Sequence, residues 1–505
     1  MFRKIIFSII VFGVFLGLFE FSARLFEGYL KKHETEVFQN SGWQTEFFSS
    51  LFDWHEPDPD LLWRFKANLD NPLIRTNSEH LLAEDIDLKK KNNIFRILLL
   101  GDSSPVGLGL ESYRQAFGEL LRSYLALELP DRRVELINAA VSGYTSEQIV
   151  RFMELKGCRY NPDLVIVYCG NNDASVSGPV SDRELLQAQK MIFLRRQLSR
   201  LAGYRVLRSL LSDYLFKPSV NADWLKVRVE PEQFGENLKH LVQQSHRLNC
   251  PLVIIKPPVP YLWPAGLQFK IFSHVTGRES RLILPERMRT VLGRPIKYCL
   301  DENLFRHLYG QGDKFTRAVY ASAYTDSLSR SAAIAHYTAL LARDSSDAVL
   351  YNNLGVSYWA GDDFTRADSS LERARLIYCR EHKGIADDAG QTAAGSPFLY
   401  NIGINLLTRD LRQPRHNDSS EDKAFIYLDS ALQADYFSLR IKKSYWREMD
   451  KLRDIDKVFV LDLPQIFQKK GGERLFIDHC HPTAEGHRLI ARSLYDLILE
   501  NSLIK

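Results

Sequence analysis

Ser103 stands where an apolar run stops. Residues 97–100 read Ile-Leu-Leu-Leu, and the run ends at Gly101-Asp102-Ser103. Such a run bounded by turn formers fits a fully buried strand of a parallel sheet. Open α/β sheets place their active sites at the carboxyl ends of these strands. A serine there, just after a glycine that permits a tight turn, is placed to be a nucleophile, although the same tripeptide also marks ordinary turns. A second concentration of chemistry-bearing side chains is Asp478-His479-Cys480-His481. By type it is a metal-ligating set, but adjacent residues rarely converge on one ion without partners elsewhere. Two further polar stretches, Asn138-Ala139-Ala140-Val141-Ser142-Gly143 and Gly170-Asn171-Asn172-Asp173, each follow an apolar run.

The elements that must position these residues alternate. After the first strand, Tyr113, Ala116, Phe117, Leu120, Leu121 and Tyr124 fall at helical spacing, and Pro130 closes that helix. Residues 134–137 read as a second strand, and Thr145-x-x-Gln148 is a capping box that opens a second helix. Residues 164–168 form a third strand, a helix carrying Phe234, Leu238, Leu241 and Val242 follows, and 252–255 form a fourth. The rhythm returns late, with a helix near 445–452, a strand at 458–461 and an amphipathic helix at 484–499. Alternation of this kind predicts a parallel sheet covered on both faces, a three-layer α/β/α sandwich.

Residues 261–330 carry no clean pattern and form an unassigned insertion. Residues 331–440 follow a different period. Tyr351-x-x-Leu354-Gly355-x-x-Tyr358 and then Ala367-x-x-x-Leu371-x-x-Ala374 have the large-small alternation of a tetratricopeptide repeat, with degenerate neighbours before and after. The other reading of these helices is a plain helical hairpin cap. An all-α repeat insertion is therefore expected inside the α/β domain, which divides into 94–260 and 441–505.

The chain of 505 residues is too long for one ordinary core. Hydrophobic residues at 45% and charged residues at 25% are globular values. A net charge of +4 without a dense Lys/Arg patch argues against nucleic-acid binding. The six cysteines form no Cys-x-x-Cys pair, so neither a zinc ribbon nor a disulfide framework is indicated. Residues 1–26 read as an uncleaved membrane anchor or signal anchor: Arg3 and Lys4 precede the apolar run 5–19, which Glu20 interrupts. Basic residues on both sides balance, so charge does not decide orientation. Residues 34–93 read as a polar lead-in with turns at Asp58-Pro59-Asp60 and Asn71-Pro72.

Taken together, four blocks in order resemble the SGNH (GDSL) hydrolase superfamily: Gly101-Asp102-Ser103, the glycine Gly143, Gly170-x-Asn172-Asp173 and Asp478-x-x-His481. The resemblance covers about 94–260 and 445–500, and the lead-in around Trp63 and Asn77 resembles membrane-anchored bacterial members. It implies a flavodoxin-like fold and a serine hydrolase. Ser103 would be the nucleophile and His481 the base that takes its proton. Asp478 would hold the other ring nitrogen and stabilise the imidazolium. The backbone N–H groups of Ser103 and Gly143 and the Asn172 amide would form the oxyanion hole. The chain departs from the family in its large insertion and in Ser104, where phenylalanine or tyrosine is usual.

By the same reading Asp102 and Asp173 orient turns, Cys169 and Asn171 are structural, and His479, Cys480 and His487 are packing or surface residues. Lys256 at a strand end is compatible with the cleft or the surface. The expected activity is cleavage of an acyl ester, an O-acetyl group among the candidates, on an envelope glycan or lipid outside the cytoplasm. No metal or cofactor is expected. Two alternatives stay open: an SGNH-type O-acyltransferase acting on a glycan, and a scaffold whose helical repeats bind a protein partner.

Overall fold

Five apolar runs become the strands of one sheet: β1 (Ile94–Gly101), β2 (Arg133–Asn138), β3 (Leu164–Tyr168), β4 (Leu252–Lys256) and β5 (Val458–Asp462). The coordinates are a computed structural model. They describe residues 2–32, 54–58, 60–178, 181–187, 198, 201–204, 206–207, 226–265, 268–270, 281–283, 296–299, 329–381, 395–412, 419–435 and 438–504. All five strands are parallel, in the order β2-β1-β3-β4-β5. This is the flavodoxin-like doubly wound order, and its switch point lies between β1 and β3, the position at which open α/β sheets bind ligands at their carboxyl edge.

Parallel neighbours need crossovers, and helices supply them. They are α1 (Phe117–Glu128), α2 (Ser146–Leu155) and α3 (Pro231–Arg247). Between β4 and β5 comes a helical array: α4 (Arg330–Leu341), α5 (Ala348–Trp359), α6 (Phe364–Glu381), α7 (Ser396–Arg412) and α8 (Ser419–Ala434). The chain then returns through α9 (Lys443–Asp450), β5, α10 (Leu463–Lys470) and α11 (Ala484–Glu500).

Strand alternation divides the core. Phe95, Ile97 and Leu99 of β1 join Leu136, Ile166, Val253 and Ile255 in one apolar cluster, covered by Phe117 and Leu121 of α1, Phe467 of α10 and Ile490 and Leu494 of α11. Leu98 points the other way, where Met153 of α2 closes over Gly157. There α3 packs on α2 and α9, with the Phe234 and Tyr445 rings edge to face at 5.3 Å. The first helix starts later than its spacing predicts. Ser112 accepts the Arg114 N–H and closes a separate 3₁₀ turn, Tyr113–Gln115, and Ala116 is extended.

In the array a small residue lets two helices touch twice over. A Cβ on Gly355 would stand 2.7 Å from Leu371 Cγ, and one on Gly403 would stand 2.7 Å from Leu428 Cγ. The pairs α5/α6 and α7/α8 thus share one contact, which answers the large-small alternation of the sequence. The array is built on its own apolar core, which includes Leu262, Trp263, Ile296 and Tyr298 from the segment between β4 and α4. Of 261–330, residues 266–267, 271–280, 284–295 and 300–328 lie outside the described set.

Residues 1–66 and 179–225 form a separate compact unit. Its N-terminal helix, Phe2–Lys32, contains 21 residues, Ile6–Phe26, with mean hydropathy 2.2. By length and composition this stretch can cross a membrane, and a signal sequence meets the same description. The helix continues through Glu20, whose carboxylate meets Arg24 at 2.9 Å and accepts the N–H groups of Ala202 and Gly203 at 2.9 Å each. In the lead-in, His55–Asp58 and Leu62–Phe65 pair as an antiparallel hairpin, and residues 34–53 lie outside the described set.

Candidate active site

Ser103 begins a one-turn helix, Ser103–Val106, directly at the end of β1. Asp102 caps it by accepting the Ser104 N–H at 2.9 Å, and Gly107 ends it at φ 83°. The glycine before the cap is demanded by space: a Cβ on Gly101 would lie 2.6 Å from both Pro105 Cγ and the Tyr168 carbonyl. Ser104, where a larger residue is usual in the resembled family, is fully buried within this turn.

The partner arrives from 378 positions away. His481 Nε2 lies 2.7 Å from Ser103 Oγ, and His481 Nδ1 lies 2.6 Å from Asp478 Oδ2. Asp478 reaches back because its residues fold as a tight turn. Its Oδ1 accepts the N–H groups of Cys480 and His481 at 2.9 and 2.8 Å. Thr483 then caps α11 by accepting the Gly486 N–H at 3.2 Å. All three side chains are buried, with Ser103 at 9% exposure the most open.

Electrostatics follow from that burial. Desolvation opposes charge on Asp478, but the two histidines and its N–H donors outweigh it and hold the carboxyl well below its usual range. Desolvation likewise opposes charge on His481, and the Asp478 carboxylate reverses this and raises the imidazole well above its ordinary value. Burial pushes the Asp102 carboxyl up to about 6, against the pull of the Ser104 N–H and His481.

The other two sequence-predicted residues lie on adjoining loops that share a hydrogen bond. Gly143 has φ 84°, a left-handed conformation that suits glycine, and the Tyr144 carbonyl next to it accepts the Asn172 amide at 3.1 Å. This loop is tied to the end of β1 by the Val141 N–H, which donates to the Gly101 carbonyl at 3.1 Å. Asp173 accepts the Ser146 N–H at 2.9 Å, a bond to the start of α2 and not within its own turn. Asn171 accepts the Ile441 N–H at 2.9 Å, so it holds the chain where it re-enters the domain.

Several side chains are placed where the sequence does not specify. His479, Cys480 and His487 are all buried, so the surface option falls and packing stands. Burial lowers His479 to about 4 and pushes the Cys480 thiol up to about 11. Asp478, His479 and Cys480 bring ligand atoms within 4.8 Å of one another, a possible metal set, but both Asp478 oxygens already accept from His481 or backbone N–H groups. His487 Nδ1 accepts the Phe117 N–H at 3.1 Å and its ring stacks on Phe117 at 5.8 Å, joining α11 to α1. Lys256 is not an exposed surface residue. It is buried, 3.0 Å from both Asp450 and Asp462, with its ammonium 5.8 Å from the Trp446 ring centroid. Arg96, inside β1, is fully buried on the Glu135 carboxylate and the Tyr160 and Asp87 carbonyls. Only its lone charge in an apolar run marked it.

Residues 99–291 match the GDSL-like Lipase/Acylhydrolase family. The match takes in Ser103, Gly143 and Asn172 and ends before Asp478 and His481. Similar solved structures include that of TesA, at 20% identity and TM-score 0.21, covering 33% of this chain and 62% of that one. An acetylxylan esterase from Geobacillus stearothermophilus is 14% identical at TM-score 0.21, covering 34% and 62%. A two-domain esterase active on acetylated mannans is 14% identical at TM-score 0.20, covering 33% and 31%. The chain spans about three fifths of the length of the first of these structures. No curated protein sequence matches it.

Proposed function

We propose that the protein is a serine hydrolase of acyl esters, with Ser103 as nucleophile, His481 as general base and acid, and Asp478 as the group that orients and charges the imidazole. The observation that carries this reading is the unbroken chain Ser103 Oγ, His481, Asp478 at 2.7 and 2.6 Å. His481 takes the Ser103 proton as Oγ attacks the ester carbonyl. It returns that proton to the leaving alkoxide, and water then releases the acid. The tetrahedral oxyanion is met by backbone N–H groups of Ser103 and Gly143 and by the second hydrogen of the Asn172 amide, the first being held by Tyr144.

The substrate is an acylated glycan or lipid of the cell envelope, reached from a membrane anchor in residues 1–26, and the paired helices of the array are tetratricopeptide-like repeats. Support for the acyl ester comes from the family match, and for the anchor from the apolar stretch Ile6–Phe26.

A fluorophosphonate probe tests the mechanism. It should label Ser103, and Ser103→Ala should abolish labelling and cleavage of a p-nitrophenyl ester. His481→Ala should lose nearly as much, roughly 10⁶-fold, because members of such a set act as a unit. Asn172→Ala should lose about 10²–10³-fold. If Ser103→Ala keeps its activity while His479→Ala or Cys480→Ala loses it, the nucleophile is misassigned. Turnover that is slow in water and rises with a sugar acceptor would make the enzyme a transferase.

A further inference from the structure

Residues 296–299 lie against the helical array as a short irregular segment. Their main chain is bonded by asparagine side chains. The Lys297 N–H donates to Asn353 Oδ1 at 2.8 Å, and the Lys297 carbonyl accepts from Asn352 Nδ2 at 2.9 Å and from Asn401 Nδ2 at 2.8 Å. One residue on, the Cys299 N–H donates to Asn401 Oδ1 at 2.7 Å. Asn352 and Asn401 also bond each other at 2.8 Å. These three asparagines come from α5 and α7, the first helices of the two similar pairs, and all are buried. Lys297 also lays its ammonium 5.2 Å from the Tyr337 ring centroid of α4.

Asparagine amides that pair with the N–H and C=O of a peptide segment read backbone, not side-chain identity. A helical bundle that only needed a core would use apolar residues here, since each buried amide costs free energy unless satisfied. In this array the amides are satisfied by a peptide segment.

The same segment is bonded to residues 260–265, which carry Trp263. The Tyr298 hydroxyl donates to the Ala265 carbonyl at 3.1 Å, and the Tyr400 hydroxyl of α7 donates to the Leu262 carbonyl at 2.8 Å. Arg440 donates to the Pro260 and Trp263 carbonyls at 2.9 and 3.1 Å. Trp263, held by these bonds, lies 5.9 Å centroid to centroid from His479, whose ring stands edge-on to His481 at 5.7 Å.

We infer that the array is a binding groove for peptide main chain whose ligand is the chain's own segment 296–299, and that this fastening holds Trp263 against the loop that carries His481. Asn352, Asn353 and Asn401 are then positioning residues. The first half of this inference is independent of the proposed activity; the second half rests on it.

The test uses the full chain, and its first variant leaves the helices untouched: Lys297→Pro removes the N–H that Asn353 accepts. Asn353→Ala/Asn401→Ala attacks the same contact from the groove side. Hydrogen exchange should show the Cys299 amide exchanging about tenfold faster or more in both, while the amides of α5 and α7 keep their protection. Retained protection at Cys299 in both variants, or equal loss throughout α5 and α7, would overturn the groove. In the second arm, fluorophosphonate labelling of Ser103 and kcat should fall on the order of tenfold with KM held, the pattern of a misplaced base. A changed KM with kcat held would overturn the link to His481. Absence of Ser103 labelling in the unaltered chain would sink the proposed function and leave the exchange arm to decide the groove.

Discussion

At Ser103 the pH dependence is set by the pair behind it. Only a neutral imidazole can accept the hydroxyl proton, so under the proposed mechanism activity should be present above the pKa of His481 and be lost as pH falls through it. The Asp478 carboxylate raises that pKa well above the ordinary 6.5. The acid limb of kcat/KM is therefore expected above pH 6.5. Asp478→Asn removes the charge that raises it, so the limb should move down. The amide also leaves the imidazole in the wrong tautomer, and the rate on the plateau should drop by about 10⁴. A limb that stays in place in Asp478→Asn would show that another group titrates.

At the scale of elements, the loop after β3 is where the α/β domain meets the returning chain. Gly170 has φ 126°, and a Cβ there would stand 2.3 Å from Ile441 Cδ1. Gly170→Ala therefore meets backbone strain and a clash together, and should cost about 1–3 kcal/mol in urea unfolding. Because Asn171 and Asn172 follow directly, activity should fall more than stability alone explains. The stretch was readable as a polar strand end with a glycine. That Ile441 is what crowds this glycine was not, because the contact joins residues on opposite sides of the array.

For the whole molecule, the N-terminal helix separates two behaviours. Ile6–Phe26 carries Phe7, Phe12, Phe15 and Phe21 with more than half of each side chain exposed. Apolar surface of this extent is expected to insert in a bilayer. The full chain should sediment with membranes and resist extraction by high salt. A chain starting after residue 32 should appear in the soluble fraction with its ester cleavage intact. If the full chain is already soluble, or is cut shortly after Phe26, the segment is not a retained anchor.

Local chemistry settled much in advance. The strands of the parallel sheet, the capping box at Thr145, the small-large contacts at Gly355 and the four blocks around Ser103, Gly143, Asn172 and Asp478 each depend on near neighbours, so their spacing carries them. The turn that points Asp478 at His481 is likewise built within four residues. What depended on distant partners was left to tertiary structure. Lys256 is the clearest case: a strand-end lysine has no local signature of burial, and only the approach of Asp450 and Asp462 makes a charge tolerable there. The same holds for His487 on the Phe117 N–H and for residues 296–299 under the asparagines of the array. A hydrogen bond from a side chain to remote main chain has no period to read, and 378 positions separate Ser103 from the imidazole beside it.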